Sequence, residues 1–270
     1  MAAKIKRINI VPYSPLWPKN FSDEAQKIQH CFGDNCTAIH HIGSTAVAGL
    51  RSKDTIDILC IVKNLKNIKN LELEGYIAKG ELNIPLRYYY SNNTIEPRIN
   101  LHICEQDHGF VELNLSFRDY LRQHTKIRDE YAELKQTILK SETASDKPQG
   151  CFSNYNLKKD AFIKDVLRKC QFSQYSVTFC MHVAEQEACK CLLQIDDAKL
   201  NEYFKDENAF IFCLYQGEKI IGSCLMLIEN QRIQTIKYAC NKQDTKKEDL
   251  LYFKSFINKW AFNSGYASYN

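Results

Sequence analysis

The chain has 270 residues, with 36 Lys plus Arg against 32 Asp plus Glu, a net formal charge of +4 and 44% hydrophobic content. That is ordinary globular composition, with enough apolar mass for a core and no strong nucleic-acid footprint. Glycine is scarce, 10 residues where about 7% is usual, and neither G-x-x-x-x-G-K-[ST] nor G-x-G-x-x-G occurs, which excludes P-loop kinases and dinucleotide-binding Rossmann enzymes.

Met1 to Pro15 contains no apolar leader core, and no apolar run approaches the ~18 residues of a membrane span. The 12 cysteines form no C-x-x-C pair, and Cys60, Cys213 and Cys224 sit in strand-like apolar runs. They read as buried thiols of a reducing cytoplasm. Cys189-x-Cys191 has no second pair to complete a metal or redox site, so it reads as core filler.

Charge divides the chain: residues 1–172 carry a net of +5 and residues 173–270 a net of −1. Two domains are expected, meeting near Cys170–Ser176. In the first, Ile5–Val11 is a strand ended by Pro12 and Pro15. A helix capped by Asn20-Phe-Ser22 runs to Phe32, with Phe21, Ala25, Ile28 and Cys31 on one stripe. Strands follow at Cys36–Ile42 and Thr55–Val62, separated by a Gly43-Ser-Thr turn and a short helix through Leu50. After a polar helical stretch come strands at Ile84–Tyr90 and Ile99–Cys104, then helices at Val111–His124, Thr125–Lys140 and Leu157–Lys169.

The second domain reads as a strand at Ser176–Met181, one helix from Ala184 to Phe204, strands at Ala209–Tyr215, Lys219–Ile228 and Ile233–Tyr238, and a helix from Lys246 to Phe262. Tight turns at Gln216-Gly-Glu218 and Glu229-Asn-Gln231 join the three strands. The class is α+β throughout: a mixed sheet with helices, then a smaller α+β domain.

The chemistry concentrates in His40-His-Ile-Gly-Ser-Thr-Ala-Val-Ala-Gly-Leu50 and the strand that follows. A strand delivers the chain to Gly43, which lets a phosphate approach the backbone. Ser44 and Thr45 then start a helix whose free N–H groups favour an anion. Twelve residues separate Ser44 from Asp57, which lies in the next strand, where a carboxylate beside a phosphate cradle would hold magnesium. Each residue also has a structural alternative. Gly43-Ser44 can be an ordinary cap, Asp57 a paired structural acid, and His41 and His102 satisfied core histidines. Arg118 and Asp119 read as a fold-stabilising pair.

This spacing resembles polymerase-β-like nucleotidyltransferases, with a Gly-Ser turn and then an acid-bearing strand. The blocks "VPYSPLW", "HHIGSTAVAGL", "DTIDILCIV", "LHICEQ", "FRDYLRQH" and "YNLKKDAFIKDVL" together resemble the GrpB family over about residues 9–170. The resemblance implies a nucleotidyltransferase fold, with Gly43 and Ser44 at the phosphate turn and Asp57 as the acid. It also aligns His41 and His102 with the family's histidines, Lys159 with the lysine of its last helix and Arg98 with a basic residue near His102. The superfamily pattern wants a second acid where Leu59 stands, and GrpB sequences share the loss of that acid. Lys53-Asp54 stands where the family has Lys-Pro, and His40 where it has an acid.

Either His41 and His102 join Asp57 in an unusual metal site, or the fold binds a nucleotide without transferring it. The activity implied is metal-dependent nucleotidyl transfer, with Mg2+ or Mn2+, from a nucleoside triphosphate to a small-molecule or protein acceptor. Asp57 would be the catalytic acid, and Gly43, Ser44, Thr45, Arg98 and Lys159 would hold phosphate.

The second domain resembles a GNAT acetyltransferase whose central hairpin is "LYQGEKIIGSCLMLI". Its acetyl-CoA loop would fall on Gln243-Asp-Thr-Lys-Lys-Glu248, where Lys246 and Glu248 replace the glycines that wrap a pyrophosphate. The chain ends before that fold's last strands. These departures argue against acetyl-CoA and for a non-catalytic module, with an N-acetyltransferase as the alternative.

Overall fold

The computed structural model describes residues 9–68, 74–141, 148–149, 152–241 and 245–267. The chain divides into two compact units. One comprises residues 1–82 and 87–172, the other residues 83–86 and 173–270.

The first unit opens with α1 (Trp17–Phe32), which begins a turn earlier than its Asn20 cap suggests because Pro18 is compatible with a helix start. Trp17, Glu24 and Ile28 face inward, whereas Cys31 is exposed. The strands are β1 (Cys36–Ile42), β2 (Thr55–Val62), β3 (Tyr76–Gly80), β4 (Tyr88–Asn92) and β5 (Arg98–Glu105). They form one sheet in the order β1-β2-β5-β4-β3, with only β2 and β5 parallel. Lying between two partners and covered on both faces, β2 is apolar almost throughout, and only Asp57 interrupts its buried run. Helices α2 (Gly109–Gln123) and α3 (Thr125–Lys140) follow. The short pair β6 (Pro148–Gln149) and β7 (Phe152–Ser153), α4 (Asn154–Leu157) and α5 (Asp160–Lys169) complete the unit.

Three local expectations change. The helix after Gly43 is a single 3₁₀ turn, Ser44–Ala46, because Val47 is extended and Gly49 takes φ 77°. β3 was hidden by its exposed edge position, which leaves no apolar alternation to read. β4 starts at Tyr88 and not at Ile84, since Pro85 lacks a ladder N–H and Leu86 is left-handed at φ 60°. Of the Ile5–Val11 strand, residues before Asn9 lie outside the described residues, and Val11 forms an isolated bridge to Ser52.

The second unit contains β8 (Tyr175–Phe179), α6 (Val183–Leu193), α7 (Asp197–Lys205), β9 (Ala209–Gln216), β10 (Lys219–Glu229), β11 (Arg232–Cys240) and α8 (Lys247–Asn263). Its antiparallel sheet runs β11-β10-β9-β8. The expected helix Ala184–Phe204 is two helices: Gln194 is left-handed at φ 53°, and Asp196 caps α7 by accepting from Lys199 N at 2.8 Å. One sheet face packs Cys180, Ile211, Cys213 and Leu225 with Cys189 and Leu193 of α6. On the other, Phe179 and Phe212 lie against Trp260 of α8. The described cysteines are free thiols. Among the described residues no helix is long and apolar enough to cross a membrane.

Candidate functional site

The site forms where β1 hands the chain to Gly43 and β2 carries Asp57 alongside. In the β1–β2 ladder Ile42 pairs with Asp57, so the carboxylate lies beside the residue that follows Ile42. Gly43 takes φ 71°, and a Cβ built on it would collide with Asp57 Oδ2 and stand 3.0 Å from Asp57 Cγ. Glycine is therefore required twice, by its backbone conformation and by the approach of the acid.

Asp57 Oδ1 accepts from Asn100 Nδ2 at 2.8 Å, and Asn100 Oδ1 accepts from Tyr89 Oη at 2.8 Å. The acid keeps 28% of its side-chain exposure, so it remains reachable. Burial pushes its carboxyl up, while the Asn100 amide and the charges of Lys159, Lys53 and Arg98 oppose that rise. Lys53 Nζ and Lys159 Nζ each lie 4.5 Å from the Tyr155 ring centre. Burial and the neighbouring Lys53 lower Lys159 to about 8, against the pull of Asp57. One carboxylate thus meets the field of three cations, an excess of positive charge suited to an anion carrying several charges.

Ser44 contributes its hydroxyl, hydrogen-bonded with that of Tyr131, whose ring stacks on Phe162 at 4.9 Å. Because the turn beyond it is one 3₁₀ turn, no helix dipole of consequence stands behind Ser44. Thr45 is buried and turned away: its hydroxyl donates to Thr55 O at 3.0 Å.

The two histidines are separated by the pleat of the sheet. His41 neighbours Ile42 on β1, so its side chain points to the face opposite Asp57. There it stacks on Phe21 at 4.8 Å, and its Nε2 lies 3.0 Å from Thr45 Oγ1. Since that hydroxyl gives its proton to Thr55 O, Nε2 of His41 is the donor. Burial, with Arg122 and Arg118, lowers His41 to about 4 and keeps it neutral.

His102 shares the face of Asp57, with Nε2 4.0 Å from Asp57 Oδ1. Its Nδ1 is 3.1 Å from Arg87 Nη1, and a guanidinium can only donate. Nδ1 therefore accepts and Nε2 carries the proton toward Asp57. Burial and the Arg87 charge hold its pKa well below the usual histidine value.

This disposition does not fit a metal held by Asp57, His41 and His102. One histidine is on the wrong face, and the other offers an N–H where a metal needs a lone pair. Leu59, where a nucleotidyltransferase-like pattern would need a second acid, is fully buried in the cluster of Ile42, Ile61, Cys104 and Val111. Asp57 alone fits a magnesium ion that arrives on a polyphosphate, because such ions take one or two carboxylates with phosphate oxygens and water.

A set of residues outside the expected site shapes the loop. Arg118 Nη1 donates to His41 O at 3.0 Å, and Arg122 Nε and Nη2 donate to Ala46 O at 3.0 and 2.8 Å. Arg128 Nη1 donates to Ala48 O at 3.1 Å, and Lys135 Nζ donates to Arg51 O. Four cations of α2 and α3 thus hold four carbonyls of residues 41–51, fixing the loop from behind. Arg118 also pairs with its neighbour Asp119 at 2.7 Å, so the expected pair is part of this clamp. Their spacings, four residues on α2 and seven on α3, were a legible sign of one helical face. Asn100 and Tyr131 carry no comparable signal.

In the second unit, residues 242–244 of the expected acetyl-CoA loop lie outside the described residues. The start of α8 is already served by a carboxylate: Asp249 accepts from Lys246 N and from Tyr175 Oη.

The family described as GrpB protein matches residues 7–169. UPF0157 protein YqkA of Bacillus subtilis is 32% identical over 163 residues, covering 59% of this chain and 46% of that protein. UPF0157 protein BH1888 of Halalkalibacterium halodurans is 28% identical, covering 60% of this chain and 82% of that one. The chain therefore spans about half the length of YqkA. The crystal structure of conserved protein GrpB from Enterococcus faecalis is similar at 30% identity and TM-score 0.51, over 60% of this chain and 96% of that one. Since the family match takes in more than half of the chain, including every part of the site from His41 to Lys159, the chain belongs to the GrpB family.

Proposed function

We propose that the first unit binds a nucleoside triphosphate as its magnesium complex. The observation that carries this reading is the Asp57 carboxylate pressed against Gly43 within the field of Lys53, Arg98 and Lys159. The cations would neutralise the phosphates, the bare Gly43 backbone would let them approach, and Asp57 would take one position on the ion they bring. The Gly-Ser turn followed by an acid-bearing strand, as in nucleotidyltransferases, favours a nucleotide over a simple phosphate. Transfer of the nucleotidyl group to a small molecule or a protein side chain is the reaction this resemblance suggests. The single acid supports binding more directly than transfer.

The test is a thermal-shift and calorimetry screen of the full chain against the four ribonucleoside triphosphates with Mg2+ or Mn2+. A ligand at a hundredfold excess over Kd stabilises by about 2.7 kcal/mol. The reading expects that stabilisation with at least one triphosphate, lost in Lys159→Ala, with Asp57→Asn losing only its metal dependence. No stabilisation by any triphosphate, or wild-type binding by Lys159→Ala, sinks it. Pyrophosphate release abolished by Asp57→Asn would extend the reading to transfer.

For the second unit, the order strand, two helices, three-strand meander and helix supports a GNAT-like reading. The carboxylate already seated at the start of α8 supports a non-catalytic form of it. Acetyl-CoA in the same screen should leave the melting temperature unchanged, and a clear shift would favour an acetyltransferase.

A further inference from the structure

The second unit holds a cluster that the nucleotide site does not use. Cys180 follows β8, its N–H donating to Ile211 O at 2.8 Å, while Cys213 lies within β9 and Cys189 on α6. The ladders pair Thr178 with Cys213 and Cys213 with Ser223, so Cys213 and Ser223 share a face with Cys180, two residues beyond Thr178. Glu185, Cys189 and Leu193 are buried at four-residue spacing, so α6 lays Cys189 onto that face. The three sulfurs lie within 4.8 Å of one another, with Cys189 and Cys213 at 3.3 Å. Ser223 Oγ is 3.2 Å from Cys189 Sγ. Among the described residues this is the one group of three close side chains of metal-ligating type.

A single buried cysteine needs no explanation beyond its small apolar side chain. Here three, from three separate elements, converge on one point beside a hydroxyl. Thiolates sharing one zinc at about 2.3 Å in tetrahedral geometry stand about 3.8 Å apart. That spacing falls within the range these sulfurs already occupy. Glu185 is engaged elsewhere: its carboxylate accepts from Thr178 Oγ1 at 2.7 Å, Met181 N at 2.9 Å and Tyr215 Oη at 3.1 Å. The set offered to a ligand is therefore sulfur alone, which selects a thiophilic ion.

We propose that Cys180, Cys189 and Cys213 bind one divalent thiophilic cation of the zinc class, with the Ser223 hydroxyl beside the fourth position. Each thiol gives its proton to solvent on binding. Three thiolates and a divalent ion leave a single negative charge in the core, less than a monovalent ion of the copper(I) class would leave.

The full chain, reduced and stripped of metal by a chelator, is refolded with Cd2+ and followed by its near-ultraviolet sulfur-to-metal absorption. The expected result is saturation at one tightly bound ion per chain, displaced by Zn2+, with a raised melting temperature. Cys189→Ser and Cys213→Ala each lose this phase, whereas Cys191→Ser, at an exposed thiol outside the cluster, retains it. Circular dichroism identifies any variant that has failed to fold, and the wild-type stoichiometry stands without the variants. Absence of a stoichiometric phase in folded, reduced wild type overturns the proposal. So does its persistence in a folded Cys189→Ser protein, or binding of copper(I) alone.

Discussion

Gly43 and Asp57 lie so close that a side chain on the first would displace the carboxylate of the second. Gly43→Ala adds a Cβ at φ 71° and drives it into Asp57 Oδ2. The expected cost is about 1–3 kcal/mol in urea denaturation, together with loss of triphosphate-induced stabilisation. Unchanged binding would show that the turn does not shape the site.

Arg122 holds the buried Ala46 carbonyl with two guanidinium nitrogens. Arg122→Ala leaves that acceptor without them and is expected to cost about 1–3 kcal/mol. Because Arg122 touches the loop from behind, triphosphate affinity should fall while magnesium dependence is preserved. Isothermal calorimetry with and without Mg2+ separates the two quantities. A variant that binds like wild type would make the clamp purely structural.

His41 is neutral in the folded chain and lowered to about 4, whereas unfolded it titrates near 6.5. Between those values the unfolded state binds more protons, so stability falls as pH drops from about 6.5 toward 4. The loss levels off below that window and reaches up to about 3 kcal/mol. His102 is lowered too and acts in the same direction. His41→Gln, which can keep a donor toward Thr45, should flatten the profile of denaturation midpoint against pH. An unaltered slope would assign it to other groups.

Lys159 is lowered to about 8, so its charge is lost as pH rises through that value. Triphosphate affinity should decline between pH 7 and 9 and remain level in Lys159→Arg, whose guanidinium stays charged. Titration calorimetry across that range checks it, and an equal decline in both proteins would place the titrating group elsewhere.

The elements that build the site were largely visible in the chain. The apolar runs of Cys36–Ile42 and Thr55–Val62 carry the strand signal, and the observed strands have those same limits. Gly43 marks the turn because no other residue suits both its backbone angle and its neighbour. The edge strand Tyr76–Gly80 carries no such signal, because an exposed edge imposes no burial pattern. The break at Gln194 leaves no mark in the pattern, because buried residues recur at helical spacing from α6 into α7.

By itself the sequence determined the class of the fold, the Gly-Ser turn and the acid-bearing strand, because backbone conformation and burial along one strand are local properties. The tertiary structure decided which residues meet. Pairing of Ile42 with Asp57 sends His41 to the opposite face, since side chains alternate along a strand and only the register sets which ones align. Arg87 fixes the proton of His102, and Arg118, Arg122, Arg128 and Lys135 reach carbonyls on a distant loop. The same holds for Cys180, Cys189 and Cys213: Cys191, the near neighbour of Cys189 in sequence, is exposed, while the two partners come from other elements. Contacts between remote segments depend on how helices and strands pack, and spacing along the chain does not encode that distance.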